Sequence, residues 1–336
     1  QRLLGYQSIP PWPLAAIAAW LGALAATYAF HREVFPWLTP RVWLHQVVAA
    51  WTLRFTTWFL FFAVVVAMPE RLGWRALALA ALFLVAFAIS ARGGVTWALQ
   101  KMRLLTPPTD RLLAIVRSVS AQMKVPFRRV WVLKGSAASA FALPYTGHLM
   151  FSERLLALHP DEEVAAICSH ELGHLSESRI MRAGRLSGLA FFLPLLFIRP
   201  VTLTWGPGVT LVLAFVSWLF LYASRRLSHS LEQRADKIAQ ANESDAGVYA
   251  RALARLYEEN LIPAVMSHRR THPDLYDRLL AAGVHPDFPR PQKPGMYAPQ
   301  GIILLILLGC LIGANLAKTP GLRDEPPQPP ADALSA

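Results

Sequence analysis

Long apolar stretches alternate with polar segments along this chain, and they predict most of its helices. A helix of about 20 apolar residues spans the hydrocarbon core of a bilayer, and stretches of that kind occur at 12–30, 46–68, 74–91 and 301–317. A further apolar stretch, 186–223, is interrupted by Arg199-Pro200 and by a Trp-Gly-Pro-Gly turn at 205–208. It predicts two short helices in a hairpin, which either crosses the bilayer or dips in and returns. We therefore expect about six membrane segments.

The polar segments between these stretches predict a soluble unit with a small sheet. Two prolines and a capping residue at 107–110 begin an amphipathic helix that reaches about Lys124. Alternating residues at 128–133 predict a strand ended by Gly135, and two more short strands, 139–143 and 148–151, flank a turn. The strand 148–151 is our candidate for the exposed edge of the sheet, with an ordinary core strand as the equal alternative.

Three parts follow from this pattern. We expect N-terminal membrane helices over 1–103, a soluble core over 104–290 that the hairpin 186–223 interrupts, and a C-terminal membrane anchor with a disordered tail over 291–336. The fold class is thus an α-helical integral membrane protein that carries an α+β domain.

Composition supports the membrane prediction and excludes one class of partner. The chain has 336 residues, 54% of them hydrophobic, which indicates an integral membrane protein in contact with the lipid bilayer. The net charge is +12, but the basic residues cluster beside the apolar segments and are not interleaved with aromatic residues on a polar face. We therefore expect no nucleic-acid partner.

The same basic residues predict an orientation. Three arginines precede the hairpin and two follow it, whereas its tip has only Arg199; the five are Arg179, Arg182, Arg185, Arg225 and Arg226. Since cytoplasmic loops carry an excess of Lys and Arg, the flanking segments are expected on the cytoplasmic side, in a bacterial inner membrane. The loops around the first two spans are balanced in charge, so the side of the N-terminus stays open.

The sequence His-Glu-Leu-Gly-His at 170–174 is the strongest chemical signal in the chain. Acidic residues at 161–163 and apolar positions at helical spacing predict a helix from about 160 to at least 176. His170 and His174 then lie one turn apart on one face, where both imidazoles reach one metal ion. Glu171 is the candidate general base for a water at that metal. The alternative is a surface helix that carries two histidines by chance.

A catalytic zinc needs a third protein ligand and one open position. The acidic candidates after His174 are Glu177, Glu232, Asp236, Glu243 and Asp245. Glu177 lies on the same helix as the histidines, whereas a third ligand usually comes from a second helix. Glu232 and Asp236 share one face of the segment that follows the hairpin, so one of them can bind the metal while the other orients a ligand histidine.

Four segments together resemble the M48 metallopeptidases, the family of HtpX and the Ste24-type CAAX prenyl protease. They are His170–His174, Glu232–Asp236 as Glu-x-x-Ala-Asp, Thr271–Leu279 as the Thr-His-Pro segment with its arginine, and Ser139–Ala142, where the family usually has Asn-Ala-Phe-Ala. The similarity covers roughly 105–285. Ser139 in place of asparagine is a departure at a position of expected substrate contact.

The resemblance implies a gluzincin-type zinc peptidase domain and a role for each matched residue. His170, His174 and Glu232 would bind one Zn²⁺ per chain, and Glu171 would be the general base. Asp236 would hydrogen-bond a ligand histidine. His272 would stabilise the oxyanion, and Arg278 would support the site or bind the substrate backbone.

We therefore expect a membrane-embedded zinc endopeptidase that cleaves peptide or protein substrates, with membrane protein quality control as the favoured role. The alternatives are a CAAX or precursor-processing peptidase and a non-catalytic scaffold that retains the fold. The oligomeric state stays open.

Overall fold

The structure is a computed structural model that describes residues 11–36, 38–54, 56–135, 137–265 and 272–292, except for the side chains of 11–20, 53 and 54. The N-terminal helices are α1 (Pro11–Val34), α2 (Pro40–Arg54), α3 (Thr56–Ala67), α4 (Trp74–Ile89) and α5 (Val95–Lys101). The core begins with β1 (Leu105–Thr106), α6 (Asp110–Met123), β2 (Arg129–Leu133), β3 (Ala140–Leu143), β4 (His148–Ser152), α7 (Glu153–Leu158) and α8 (Asp161–Leu175). It continues through α9 (Arg179–Gly184), α10 (Ser187–Ala190), α11 (Phe192–Leu196), α12 (Ile198–Trp205), α13 (Gly208–Ala241), α14 (Val248–Glu259) and α15 (Leu275–Ala281).

Among the described residues, two helices are long and apolar enough to cross a membrane, and the number rises to four if each of two bent helix pairs counts as one span. The straight candidates are Trp74–Lys101 and Gly208–Ala241, and the bent pairs are Pro40–Thr52 with Thr56–Ala67 at 61° and Arg179–Leu196 with Ile198–Trp205 at 43°. The described residues are thus mostly helical with two to four candidate spans, and the predicted six segments are not confirmed. The predicted span 12–30 falls within α1, and 301–317 lies outside the described residues.

The predicted hairpin forms with two unlike arms. The first arm is divided into α10, α11 and α12, and Pro194 and Pro200 lie in the latter two, where a proline has no N–H for the helix ladder. The second arm, α13, contains no proline and runs for 34 residues without a break. It therefore carries Glu232 and Asp236 on the same helix that forms the second arm.

The small sheet is mixed and has the strand order β1-β2-β4-β3. β2 pairs in parallel with β4, and β3 pairs antiparallel with β4. The expectation that 148–151 forms an edge is therefore wrong, and its alternative, a core strand, is confirmed: β4 lies between β2 and β3, and the edge strands are β1 and β3. The physical reason is long-range pairing, since β2 takes the side of β4 that β3 leaves free. Leu149, Met150 and Phe151 are all fully buried, so both faces of β4 are covered as well.

The sheet is packed between α8 and two of the N-terminal helices, α2 and α5. On one face Val132 and Leu149 pack against apolar residues of α6 and α8, including Leu172. On the other face Leu133 and Met150 share a cluster with Ala49 of α2 and Leu99 of α5.

The ends of the predicted core helices agree with the sequence signals. The Thr109 hydroxyl accepts a hydrogen bond from the Leu112 N–H at the start of α6, and Lys124 ends that helix in the left-handed conformation. Asp161, Glu162 and Glu163 form the first turn of α8, where their charges complement the helix dipole. Both helices therefore match the predicted ranges to within two residues.

Candidate metal centre and cleft

Helix α8 presents His170, Glu171 and His174 in its last two turns, and all three are buried. The two imidazole rings meet edge to face with centroids 4.9 Å apart. This is the arrangement that the i,i+4 spacing predicts on one helical face.

Gly173, between the two histidines, allows α13 to approach. A Cβ atom at this position would lie 3.3 Å from the Ala235 Cα and 3.4 Å from its Cβ. Such a contact is tighter than ordinary van der Waals packing. The absence of a side chain at Gly173 and the small side chain of Ala235 thus bring the backbone of α13 close to α8. Glu232, one turn before Ala235, faces the histidines as a result.

His170, His174 and Glu232 form a buried group that could hold a metal ion, with one potential ligand atom from each residue within 4.8 Å of the others. The His170 Nε2 lies 3.4 Å from Glu232 Oε2, and the His174 Nε2 lies 3.5 Å from Glu232 Oε1. Glu243, another sequence candidate, instead accepts hydrogen bonds from the Gly247 and Tyr249 backbone N–H groups. The geometry therefore singles out Glu232 among the candidates considered.

The far side of His170 is enclosed by three residues from three helices. Its Nδ1 lies 3.0 Å from Asp236 Oδ1 and 2.8 Å from the Tyr249 hydroxyl. Tyr249 donates to Asp236 at 2.6 Å, and Arg278 donates to both Asp236 oxygens at 2.9 and 2.7 Å and to the Tyr249 hydroxyl at 2.7 Å. Arg278 thus supports the site from behind.

Burial and neighbouring polar groups together shift the pKa values of His170, Tyr249 and Arg278. Burial lowers the pKa of His170, but its hydrogen bonds to Asp236 and Glu232 outweigh that effect and leave the pKa raised. Burial raises the pKa of the Tyr249 hydroxyl well above its usual value. Burial also disfavours the Arg278 cation, but Tyr249 and Asp236 favour it, and the pKa of Arg278 is raised. Arg278 is therefore a fixed positive charge.

The far side of His174 is supported differently. Its Nδ1 lies 3.1 Å from Glu177 Oε1, and Arg185 forms an ion pair with Glu177. Burial lowers the pKa of His174, but the hydrogen bonds to Glu177 and Glu232 and the charge of Glu171 raise it to about 10. Burial raises the pKa of Glu177, while Arg185 and His174 lower it, to about 2 overall. The carboxylates around the imidazoles make this pocket favourable for positive charge.

A cavity of about 200 Å³ opens beside the metal group, and both Glu171 and His272 line it. The His272 side chain is 48% exposed, and its Nδ1 lies 2.7 Å from Glu232 Oε2. Ser139 also lines the cavity, and its backbone N–H donates to the Ser152 hydroxyl. The walls include apolar residues of α8, α14 and α15, among them Ile167, Leu253 and Leu275. The cavity thus joins an apolar surface to the candidate general base.

Every site residue predicted from the sequence lies in or against this cleft, but three supporting residues were missed. Tyr249 lies in an amphipathic helix without a recognisable motif, and Arg185 entered only as a charge beside the membrane. Glu177 was considered as a metal ligand, whereas it contacts the outer nitrogen of His174. Its spacing of three residues from His174 is the one signal that would have indicated this contact.

Comparisons with known proteins found a matching family and similar proteins. The model of peptidase family M48 matches residues 107–283. The probable CAAX prenyl protease 1 of Schizosaccharomyces pombe is 27% identical over 197 residues, which cover 49% of this chain and 41% of the relative. The match thus spans about two fifths of that relative's length. Among solved structures, S. mikatae Ste24p is 19% identical with a TM-score of 0.49, over 78% of this chain and 74% of that chain.

Proposed function

Since the chain belongs to peptidase family M48, we propose that it is a membrane-embedded, zinc-dependent endopeptidase that cleaves peptide bonds in membrane protein quality control. The observation that carries the proposal is the buried group of His170, His174 and Glu232 with Glu171 beside it at the cavity.

Zinc fits this donor set. Catalytic zinc sites use imidazole nitrogens and a carboxylate as protein ligands. The separations between Glu232 and the two Nε2 atoms are 3.4 Å, from His170 to Oε2, and 3.5 Å, from His174 to Oε1. They are longer than the hydrogen bonds that the same imidazoles make through their outer nitrogens. His170, His174 and Glu232 would hold the ion.

The remaining residues then have separate tasks. Bound zinc would lower the pKa of a water and polarise a carbonyl group. Glu171 accepts a proton from the attacking water as its oxygen bonds to the carbonyl carbon, and it passes that proton to the leaving nitrogen as the C–N bond breaks. His272, which is partly exposed at the cavity, donates to the oxyanion. Asp236 fixes the ring of His170, and Arg278 fixes Asp236.

The edge strand β3 supports an extended binding mode for the substrate. β3 packs on α8, and among the described residues no strand pairs with its outer edge. A peptide that adds to this edge gains backbone hydrogen bonds without requiring a particular sequence. Such sequence tolerance suits an enzyme that degrades varied misfolded membrane proteins.

A second candidate role is the processing of CAAX or other precursor proteins. The similarity to a probable CAAX prenyl protease favours it.

We also propose the three-part organisation over 1–103, 104–290 and 291–336, with the cleft facing the cytoplasm of a bacterial inner membrane. The arginines at both ends of the hairpin support that orientation.

The test compares wild-type protein with Glu171→Gln, purified in detergent, zinc-loaded, and incubated with a mixed peptide and protein library. We expect cleavage by the wild type only, with equal zinc content in both proteins by metal analysis, because the substitution keeps the side-chain shape and removes the base. Full activity of Glu171→Gln would refute the mechanism. Glu232→Ala is expected to lose zinc, and stoichiometric zinc in that variant would show that the third ligand is another residue.

The same assay separates the two roles. Matched peptides with and without a prenyl group are offered together, and misfolded membrane proteins are offered in a parallel reaction. Preference for the unmodified peptides and for the misfolded proteins supports quality control. Competition by the prenylated peptides over the unmodified ones would favour precursor processing.

A further inference from the structure

Asn260, the residue after α14, closes one end of the edge strand β3. Its Oδ1 accepts a hydrogen bond from the Ala138 N–H at 2.9 Å, and its Nδ2 donates to the Ala138 carbonyl at 2.7 Å. The same Nδ2, through its second hydrogen, donates to the Leu256 carbonyl at 2.8 Å. This hydrogen bond fixes the Asn260 side chain to its own helix. Asn260 thus satisfies both backbone groups of Ala138, as a residue on a neighbouring strand would.

The backbone of Ala138 points to the outer side of β3, away from β4. The Ser139 carbonyl accepts from the Ser152 N–H at 2.9 Å, which turns the backbone of Ser139 towards β4. In an antiparallel ladder successive residues alternate in direction. The backbone N–H and C=O groups that point outward are therefore those of Ala138, Ala140 and Ala142. The groups of Ala138 are already hydrogen-bonded to Asn260.

Asn260 also lines two cavities. The cleft cavity beside Glu171 and a second cavity of about 370 Å³, lined by residues of α2 such as Gln46 and Ala49, both reach Ser139 and Asn260. Asn260 thus forms part of the wall of both cavities.

We propose that Asn260 is a specificity-determining residue that ends the substrate-pairing edge of β3 at Ala138, so that a bound peptide pairs its backbone with Ala140 and Ala142 only. The inference rests on the proposed peptidase function. A peptide antiparallel to β3 runs from the Leu143 end towards Ala138. Its carboxyl-terminal part therefore leaves the sheet at Asn260.

Backbone N-methylation of a substrate tests the proposal directly. A peptide that the wild-type protein cleaves in the library assay is remade as a series, each member with one N-methylated amide outside the scissile bond. Full-length, zinc-loaded wild type is expected to lose about tenfold in kcat/KM at two positions that are two residues apart, since each methyl group removes one hydrogen bond to β3. Asn260→Ala is expected to gain a third sensitive position, two residues closer to the carboxyl end.

Asn242→Ala is the matched control, because Asn242 also follows a helix and donates from Nδ2 to the carbonyl four residues earlier, Ile238. This variant is expected to keep the wild-type pattern. A third sensitive position in the wild type would overturn the proposal even if Asn260→Ala fails to fold, and an unchanged pattern in a folded Asn260→Ala would overturn it as well. Absence of any cleavage by the wild type would instead contradict the peptidase function.

Discussion

The two histidines of the metal group are supported by different parts of the molecule. Behind His170 lie Asp236, Tyr249 and Arg278, one residue from each of α13, α14 and α15, and the Arg278 and Asp236 side chains are 8% and 6% exposed. Behind His174 lie Glu177, just after α8, and Arg185, between α9 and α10 at the start of the hairpin. The Arg185 side chain is 27% exposed, whereas that of Glu177 is 1% exposed.

The difference shows which histidine has a support sealed from solvent and which has a support partly open to it. A buried ion pair that loses one partner leaves an uncompensated charge, which is strongly destabilising. Where one partner of a pair is partly exposed, water can take its place beside the remaining charge, and the loss is smaller. Loss of the charge behind His170 should therefore destabilise the protein more than loss of the charge behind His174.

Arg278→Leu is the largest expected break in this comparison. It leaves Asp236 buried with one hydroxyl donor and the ligand imidazole, and we expect a loss of about 3–5 kcal/mol in the free energy of unfolding. Thermal or denaturant unfolding of the detergent-solubilised protein measures it. Arg185→Leu serves as the matched variant behind His174 and should lose clearly less. Equal losses in the free energy of unfolding for Arg278→Leu and Arg185→Leu would contradict the difference between the two supports.

Tyr249→Phe is the next largest effect. The variant removes one hydroxyl that donates to Asp236 and contacts His170 and Arg278, while Asp236 still holds the His170 ring. Residues that orient metal ligands typically contribute about 10–100-fold to metal affinity, and we expect the lower end of that range.

Zinc competition with a chelator of known affinity measures the Tyr249→Phe effect. Tyr222→Phe is the control, because that hydroxyl is exposed and accepts only from Arg226 among the contacts described. An affinity of Tyr249→Phe equal to that of the control would show that the hydroxyl does not orient His170.

The same contrast explains how much the sequence predicts. His170, Glu171 and His174 follow from one helical repeat, and α6 and α8 follow from their caps, because these are local properties of neighbouring residues. Tyr249 and Arg278 meet Asp236 only through the packing of α14 and α15 on the core, which no spacing in the sequence encodes. The resemblance supplied Arg278, and Tyr249 had no such source.

The position of the sheet edge was wrong for a related reason. The prediction took the strand nearest the metal helix in sequence, whereas the parallel pairing of β2 with β4 places β4 inside and β3 outside. Strand order is a long-range property, and the uninterrupted apolar run of Leu149, Met150 and Phe151 was the local sign of a strand covered on both faces. Asn260, far along the chain from Ala138, was beyond any local pattern for the same reason.

Arg185→Gln has the smallest expected effect. It tests most directly whether the start of the hairpin contributes to zinc affinity through Glu177. Arg185 forms an ion pair with Glu177, and the Glu177 carboxylate in turn contacts the Nδ1 of His174. The substitution leaves Glu177 in place, so the His174 ring keeps its carboxylate acceptor. That carboxylate, however, loses the Arg185 guanidinium that fixes its position. We expect zinc affinity to fall by less than about tenfold, with little change in unfolding temperature.

The comparison partner for Arg185→Gln is Arg182→Gln, on the neighbouring α9, whose guanidinium instead donates to the Pro144 carbonyl. Chelator competition on both variants should show weaker zinc binding in Arg185→Gln alone. If Arg182→Gln weakens zinc equally, the general docking of α9 matters and the Glu177–Arg185 pair does not act specifically. If neither variant changes zinc affinity, His174 is oriented by Glu177 alone, and the metal group is independent of the membrane hairpin on this side.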